Sequence, residues 1–169
     1  MEVKIFMAQT VNGKIARETG EEDFLSPRNW QEFKKIAEKT GAFTVGRKTF
    51  QAVKEWEDKG FKDINAECIV LSQKEGLEVG EGFIKVSSPE KAVKLAEEKG
   101  LDALLVTGGA SVNSSFMEKK MVDELILDIE PYVLGEGLDL FARRSFEGEL
   151  GLEEVRKLEE GIVQLRYRL

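Results

Sequence analysis

The sequence contains no histidine, and that absence excludes the most chemistry. Histidine-based catalytic triads and conventional zinc sites are removed together, and no metal is expected. Cysteine is nearly missing as well: Cys68 stands alone, so no disulfide can close within the chain, which suits a reducing compartment. It lies in the apolar run Glu67–Leu71 and reads as a buried, inert thiol rather than a nucleophile. There is no N-terminal signal pattern and no long apolar span, so the expectation is a soluble cytoplasmic protein without a membrane partner. Positive charge is in deficit, with 25 Lys and Arg against 32 Asp and Glu and a net charge of −7. That balance argues against nucleic acid as a partner and requires a local basic patch for any anionic ligand.

What is present fits one globular domain over residues 1–169, with 41% hydrophobic and 34% charged residues. Val3–Ala8 reads as a strand buried on both faces, followed by a turn at Asn12-Gly13. Ser26-Pro27 opens a helix, with Ser26 as N-cap; Trp30, Phe33 and Ala37 share a face, and Gly41 stops it. Ala42–Val45 is a strand, and the short helix after it should bury Phe50, Val53 and Trp56. Strands are expected at Cys68–Leu71, Phe83–Val86, Ala103–Val106 and Leu125–Ile129, and Gly135-Glu136-Gly137 reads as a loop before Leu138–Phe141. A capped helix begins at Ser88-Pro89, and another ends near Lys120. Leu152–Val155 and Ile162–Tyr167 form an antiparallel hairpin, whose exposed edge could pair with a second copy to make a homodimer. Strands alternating with helices and ending in strands alone indicate an α/β domain with a mixed, mainly parallel sheet.

Three strand ends carry related chemistry. Gly46-Arg47-Lys48-Thr49 brings two cations, a hydroxyl and a helix start; Ser72-Gln73-Lys74 brings polar donors and a cation. Gly108-Gly109-Ala110-Ser111-Val112 brings backbone amides at a helix N-terminus. It is neither a GxGxxG fingerprint nor a phosphate-binding loop ending in Gly-Lys-Ser/Thr. Open α/β sheets bind ligands at the carboxyl ends of their strands, so the three segments could line one crevice for a phosphate-bearing cofactor.

Five segments taken in order carry a family resemblance: Ile5–Ala16 (IFMAQTVNGKIA), Gly46–Phe50 (GRKTF), Ile69–Ser72 (IVLS), Val106–Ser111 (VTGGAS) and Asp123–Phe141. Together they resemble the dihydrofolate reductase superfamily, which includes the reductase domain of riboflavin biosynthesis. The resemblance implies a dihydrofolate reductase-like fold binding NADPH across its strand ends. It assigns Gly46, Arg47, Lys48 and Thr49 to the cofactor phosphates, Ser72 and Gln73 to the adenosine side, and Gly108–Val112 to the pyrophosphate, with a cis peptide between the two glycines. Ala8 and Ile15 match positions beside the nicotinamide.

The substrate implied is a pterin- or pyrimidine-type heterocycle, with Phe6, Met7, Asn29 and Phe33 among the matching positions. Dihydrofolate reductases carry an acid on the first helix, where this chain has Asn29. Alternation along Leu125–Glu130 sets Ile126, Asp128 and Glu130 on one face, and Asp128 is the expected replacement acid, with Glu22 and Asp23 as alternatives. Riboflavin-type reductases usually show Asp-Asp-Pro-x-Leu after the second strand, and here that region reads Thr49-Phe-Gln-Ala-Val-Lys-Glu-Trp56. Gly46–Phe50 leans toward dihydrofolate reduction, while Asn12–Ala16 and the Gly135–Phe141 loop lean toward the ribosylaminopyrimidine phosphate. The expectation narrowly favours dihydrofolate.

Overall fold

Apolar alternation divides the strands between two cores in the computed structural model, which describes residues 1–54 and 60–169. The first strand, β1 (Glu2–Thr10), sends Ile5 and Met7 to one face of the sheet and Phe6 to the other. The same division separates Ile69 from Val70 in β4 (Glu67–Leu71) and Leu104 from Leu105 in β6 (Ala103–Val106). Strands that bury both faces need helices on both sides. On one side α1 (Pro27–Thr40) and α2 (Arg47–Lys54) contribute Phe33, Ile36, Ala37, Phe50 and Val53. On the other, α3 (Pro89–Glu98) and α4 (Ala110–Glu118) contribute Ala92, Ala96, Val112 and Phe116. Trp56, expected on the buried side of α2, lies outside the described residues.

With β3 (Ala42–Gly46), β5 (Phe83–Val86), β7 (Glu124–Glu130), β9 (Gly151–Lys157) and β10 (Val163–Arg168), the main sheet runs β5-β4-β3-β6-β1-β7-β10-β9. Every pair from β5 to β7 is parallel, and β10 is antiparallel to both β7 and β9. The mainly parallel sheet and its terminal hairpin are thus as the sequence implies. Because β1, β3, β4 and β6 run the same way, their carboxyl ends open on one edge.

One local expectation is corrected. Ser26 precedes α1 in extended conformation, but its side chain makes no cap bond. Its hydroxyl and its N–H both donate to Glu130 Oε1, at 3.0 and 3.2 Å, and the buried carboxylate takes the group that would have capped the helix. The segment Leu138–Phe141 opens on a two-residue strand, β8 (Leu138–Asp139), paired with β2 (Lys14–Ala16). Beyond it the chain turns onto α4, where Asn113 Nδ2 donates to the Leu140 carbonyl at 3.0 Å and Ser114 Oγ donates to that of Ala142 at 3.1 Å.

Candidate active site

The three strand-end segments converge. A cleft of about 800 Å³ is lined by Gly46–Thr49, Ser72–Lys74 and Gly109–Val112 together. Glycine is required where the backbones close: the Gly46 N–H donates to the Gly108 carbonyl at 2.8 Å, and a Cβ on Gly46 would sit 2.8 Å from Val112 Cγ2. Gly108 has φ +81°, and a Cβ there would meet Met7 Sδ at 3.0 Å. It supports the turn from behind and is not on the cleft wall, unlike Gly109. The Gly108-Gly109 peptide is cis. Gly109 caps α4 through its carbonyl, which accepts from Val112 and Asn113 at 2.9 and 3.1 Å. The amides of Ala110 and Ser111, both on the cleft wall, have no partner inside the helix.

The local basic patch is there. Arg47, Lys48, Lys74 and Arg143 all line the cleft, and among the described residues none of them is ion-paired. Two further cations are neutralised, Arg144 by Glu118 at 2.7 Å and Lys119 by Glu90. Arg143 belongs to the segment after β8, to which the sequence assigns no role. No motif announces it, and the hydrogen bonds from α4 to Leu140 and Ala142 bring it here.

A second, narrower slot of about 60 Å³ adjoins the cleft, and Thr49 lines both. Phe6, Met7, Ala8, Ile15, Asn29 and Phe33 are all on its wall. Trp30, read from the sequence only as sharing a helix face with Phe33, and Phe61, not singled out, complete an aromatic lining: Trp30 meets Phe33 edge-on at 5.3 Å between ring centroids and Phe61 face-on at 6.1 Å.

The expected acids are distributed differently. Asp23 is held by Arg17 in two hydrogen bonds of 2.6 and 3.0 Å and is off the wall, whereas Glu22 is on it. Asp128 is 0% exposed and stands behind the wall rather than on it. Its Oδ2 accepts from Asn29 Nδ2 at 3.2 Å and its Oδ1 from Gln164 Nε2 at 2.9 Å. Burial pushes its carboxyl up to about 6, with the charges of Glu32 and Glu130 acting the same way and the two hydrogen bonds opposing them. Direct contact with a ligand is closed to it; it reaches the slot through Asn29.

Comparison with known proteins places the chain in a family. The family model described as the RibD C-terminal domain matches residues 2–164. The chain belongs to the RibD C-terminal domain family. Among curated proteins, the uncharacterized Bacillus subtilis protein YwjB is 26% identical, with 96% of this chain and 95% of that protein covered. The crystal structure of a putative riboflavin biosynthesis protein from a Shewanella species has a TM-score of 0.79 at 22% identity, over 99% of this chain and 98% of that one. A Thermotoga maritima protein, described as a diaminohydroxyphosphoribosylaminopyrimidine deaminase/5-amino-6-(5-phosphoribosylamino)uracil reductase, gives 0.74 at 22% identity. This RibD-family chain is 99% covered in that match but spans 56% of the longer protein. The family match reverses the narrow preference for dihydrofolate.

Proposed function

We propose that this RibD-family chain is an NADPH-dependent reductase acting on an aminopyrimidine-type substrate. The observation that carries the reading is the junction at Thr49 of two unlike cavities, one cationic and amide-lined, the other aromatic. The cleft suits a nicotinamide dinucleotide phosphate. Arg47, Lys48, Lys74 and Arg143 offset its phosphate charge, the amides of Ala110 and Ser111 meet the pyrophosphate, and Gly46 and Gly109 let backbone approach it. The bound nicotinamide supplies the hydride. Ala8 and Ile15, at the slot, offer a small apolar surface that brings the ring close and keeps water out.

The hydride goes to the carbon of a substrate C=N bond, and a proton goes to its nitrogen. Asn29 is a polar group of the slot whose orientation is fixed from behind. Its Nδ2 is engaged by Asp128, so its Oδ1 is the atom left to accept from a ring N–H. Asp128 is in this reading a positioning residue. NADPH consumption followed in parallel with a 5-amino-6-(ribosylamino)uracil-type substrate and with dihydrofolate tests the proposal. Oxidation with the aminouracil is expected; oxidation with dihydrofolate alone would overturn it.

A further inference from the structure

We infer that the outer edge of β9 is a self-pairing surface: two copies of this chain join edge to edge, antiparallel, about a two-fold axis at Val155. This surface is independent of the reductase reading, since neither the cleft nor the slot lies on it. β9 is the last strand of the sheet, and its outer edge meets no strand among the described residues. A free edge offers backbone N–H and C=O groups to any extended chain, so it is either blunted or used. Toward Gly151 it is blunted: the pairing with β10 slips at Glu153, between Glu154 and Leu152. From Glu154 to Lys157 the register is regular, and there the side chains decide.

The run Glu153-Glu154-Val155-Arg156-Lys157 carries two acids, an apolar centre and two bases. Turned antiparallel on itself about Val155, it sets Glu154 opposite the copy's Arg156 and Glu153 opposite the copy's Lys157. An axis at Glu154, Arg156 or Lys157 would instead place like charges face to face, and so would a parallel pairing. Within one chain the cross-strand rows stop short at this edge. Met7, Leu127, Leu165 and Val155 are successive partners from β1 to β9; Met7 and Leu127 are buried, whereas Val155 is 58% exposed. The copy's Val155 extends that row with another apolar residue. Arg166 lies 3.2 Å from both Glu124 and Glu154, a row of alternating sign whose next member is the copy's Arg156. Four of the nine large apolar side chains exposed among the described residues, Leu150, Leu152, Val155 and Leu169, lie on or beside this hairpin. Such clustering at one edge marks a protein contact. Because the patch pairs with itself, the assembly closes at two copies and does not grow into a fibre.

The test is sedimentation of the whole chain at about 1 to 100 μM, with thermal melting as the control for folding. The wild type is expected at twice the 19.0 kDa chain mass. Val155→Asp and Val155→Lys each set like charges on the axis, at an exposed position that the fold does not need. Each alone is expected to weaken dimerisation by about tenfold or more with melting unchanged. Mixed in equal amounts, the two variants are expected to recover the dimer, because an acid then faces a base across the axis. A general loss of packing could not be rescued in that way. A monomeric wild type overturns the inference, as does a dimer that both variants leave intact or that their mixture fails to restore; none of these results touches the reductase reading.

Discussion

Asn29 Nδ2 lies 3.2 Å from Asp128 Oδ2, so a neutral amide faces the slot with a carboxylate directly behind it. The groups around that carboxylate come from four elements: Glu32 on α1, Glu130 on its own strand, and Arg156 and Arg166 on β9 and β10, both donating to the side-chain Oε1 of Gln164. Ionised Asp128 accepts from Asn29 and Gln164 through two full carboxylate oxygens, and protonation weakens one of those acceptors and sets an O–H donor among N–H donors. Activity should therefore fall as pH drops through about 6. Asp128→Asn places an amide donor against two donors. It should lower kcat by about tenfold or more, erase that acid limb and leave NADPH affinity within about twofold. Turnover and a pH profile matching wild type would remove Asp128 from the mechanism.

Stability should move in the opposite sense over the same range. The Asp128 carboxyl is raised from 3.8 to about 6, so between those values the folded chain holds a proton that the unfolded chain has released. Its contribution is fully present at the acid end of the window and is lost as pH rises through about 6. Denaturant titrations across this window should show a negative slope from Asp128 that Asp128→Asn abolishes. An identical slope in the variant would mean that Asp128 does not titrate there.

Ser26 gives a sharper contrast between general propensity and this fold. Aspartate is ordinarily as good an N-cap as serine. Here Ser26 Oγ donates to the buried Glu130, so Ser26→Asp sets a second carboxylate against the first. Loss of about 2 kcal/mol or more in urea unfolding is expected, with Ser26→Ala milder, at about 1 kcal/mol. A stabilising Ser26→Asp would show that the side chain caps α1 after all.

Cys68 should be silent in the native protein. It is 2% exposed, and burial pushes its thiol up to about 12, so little thiolate forms at neutral pH. Iodoacetamide should label it only after denaturation. Rapid native labelling, with cofactor binding lost, would contradict the packed position given to it in β4.

The fold was legible because the central strands β1, β3 and β6 are apolar runs and α1 and α3 start on Ser-Pro and run out at Gly41 and Gly100. The cleft was legible because strand ends gather polar residues at short range. The substrate was not, for a definite reason: of Gly46–Phe50, the segment that leaned toward dihydrofolate, Gly46–Thr49 line the cationic cleft and only Thr49 touches the slot. Similarity there reports on the cleft and says nothing about the slot. Trp30, Phe61 and Arg143 come together through tertiary packing of distant segments, which no local pattern encodes.

Gly46 and Gly109 separate the stability of the cradle from its occupancy. At Gly46 an added methyl would sit 2.8 Å from Val112 Cγ2, and Val112 is β-branched and cannot swing away easily. Gly46→Ala should destabilise the chain by about 1–3 kcal/mol by pushing α4 off β3, and NADPH affinity should fall with it. Gly109 is different: its φ of −71° is open to any residue, and the nearest atom to a Cβ is Thr49 Oγ1 at 3.4 Å. Gly109→Val should therefore fold with near-native thermal stability while its branched side chain occupies the floor of the cleft between the Ala110 and Thr49 walls. NADPH affinity, read by fluorescence titration, should drop by about tenfold or more. Should Gly109→Val bind NADPH as wild type does, the phosphates are not held at this glycine, and the cofactor must be sought outside this cleft.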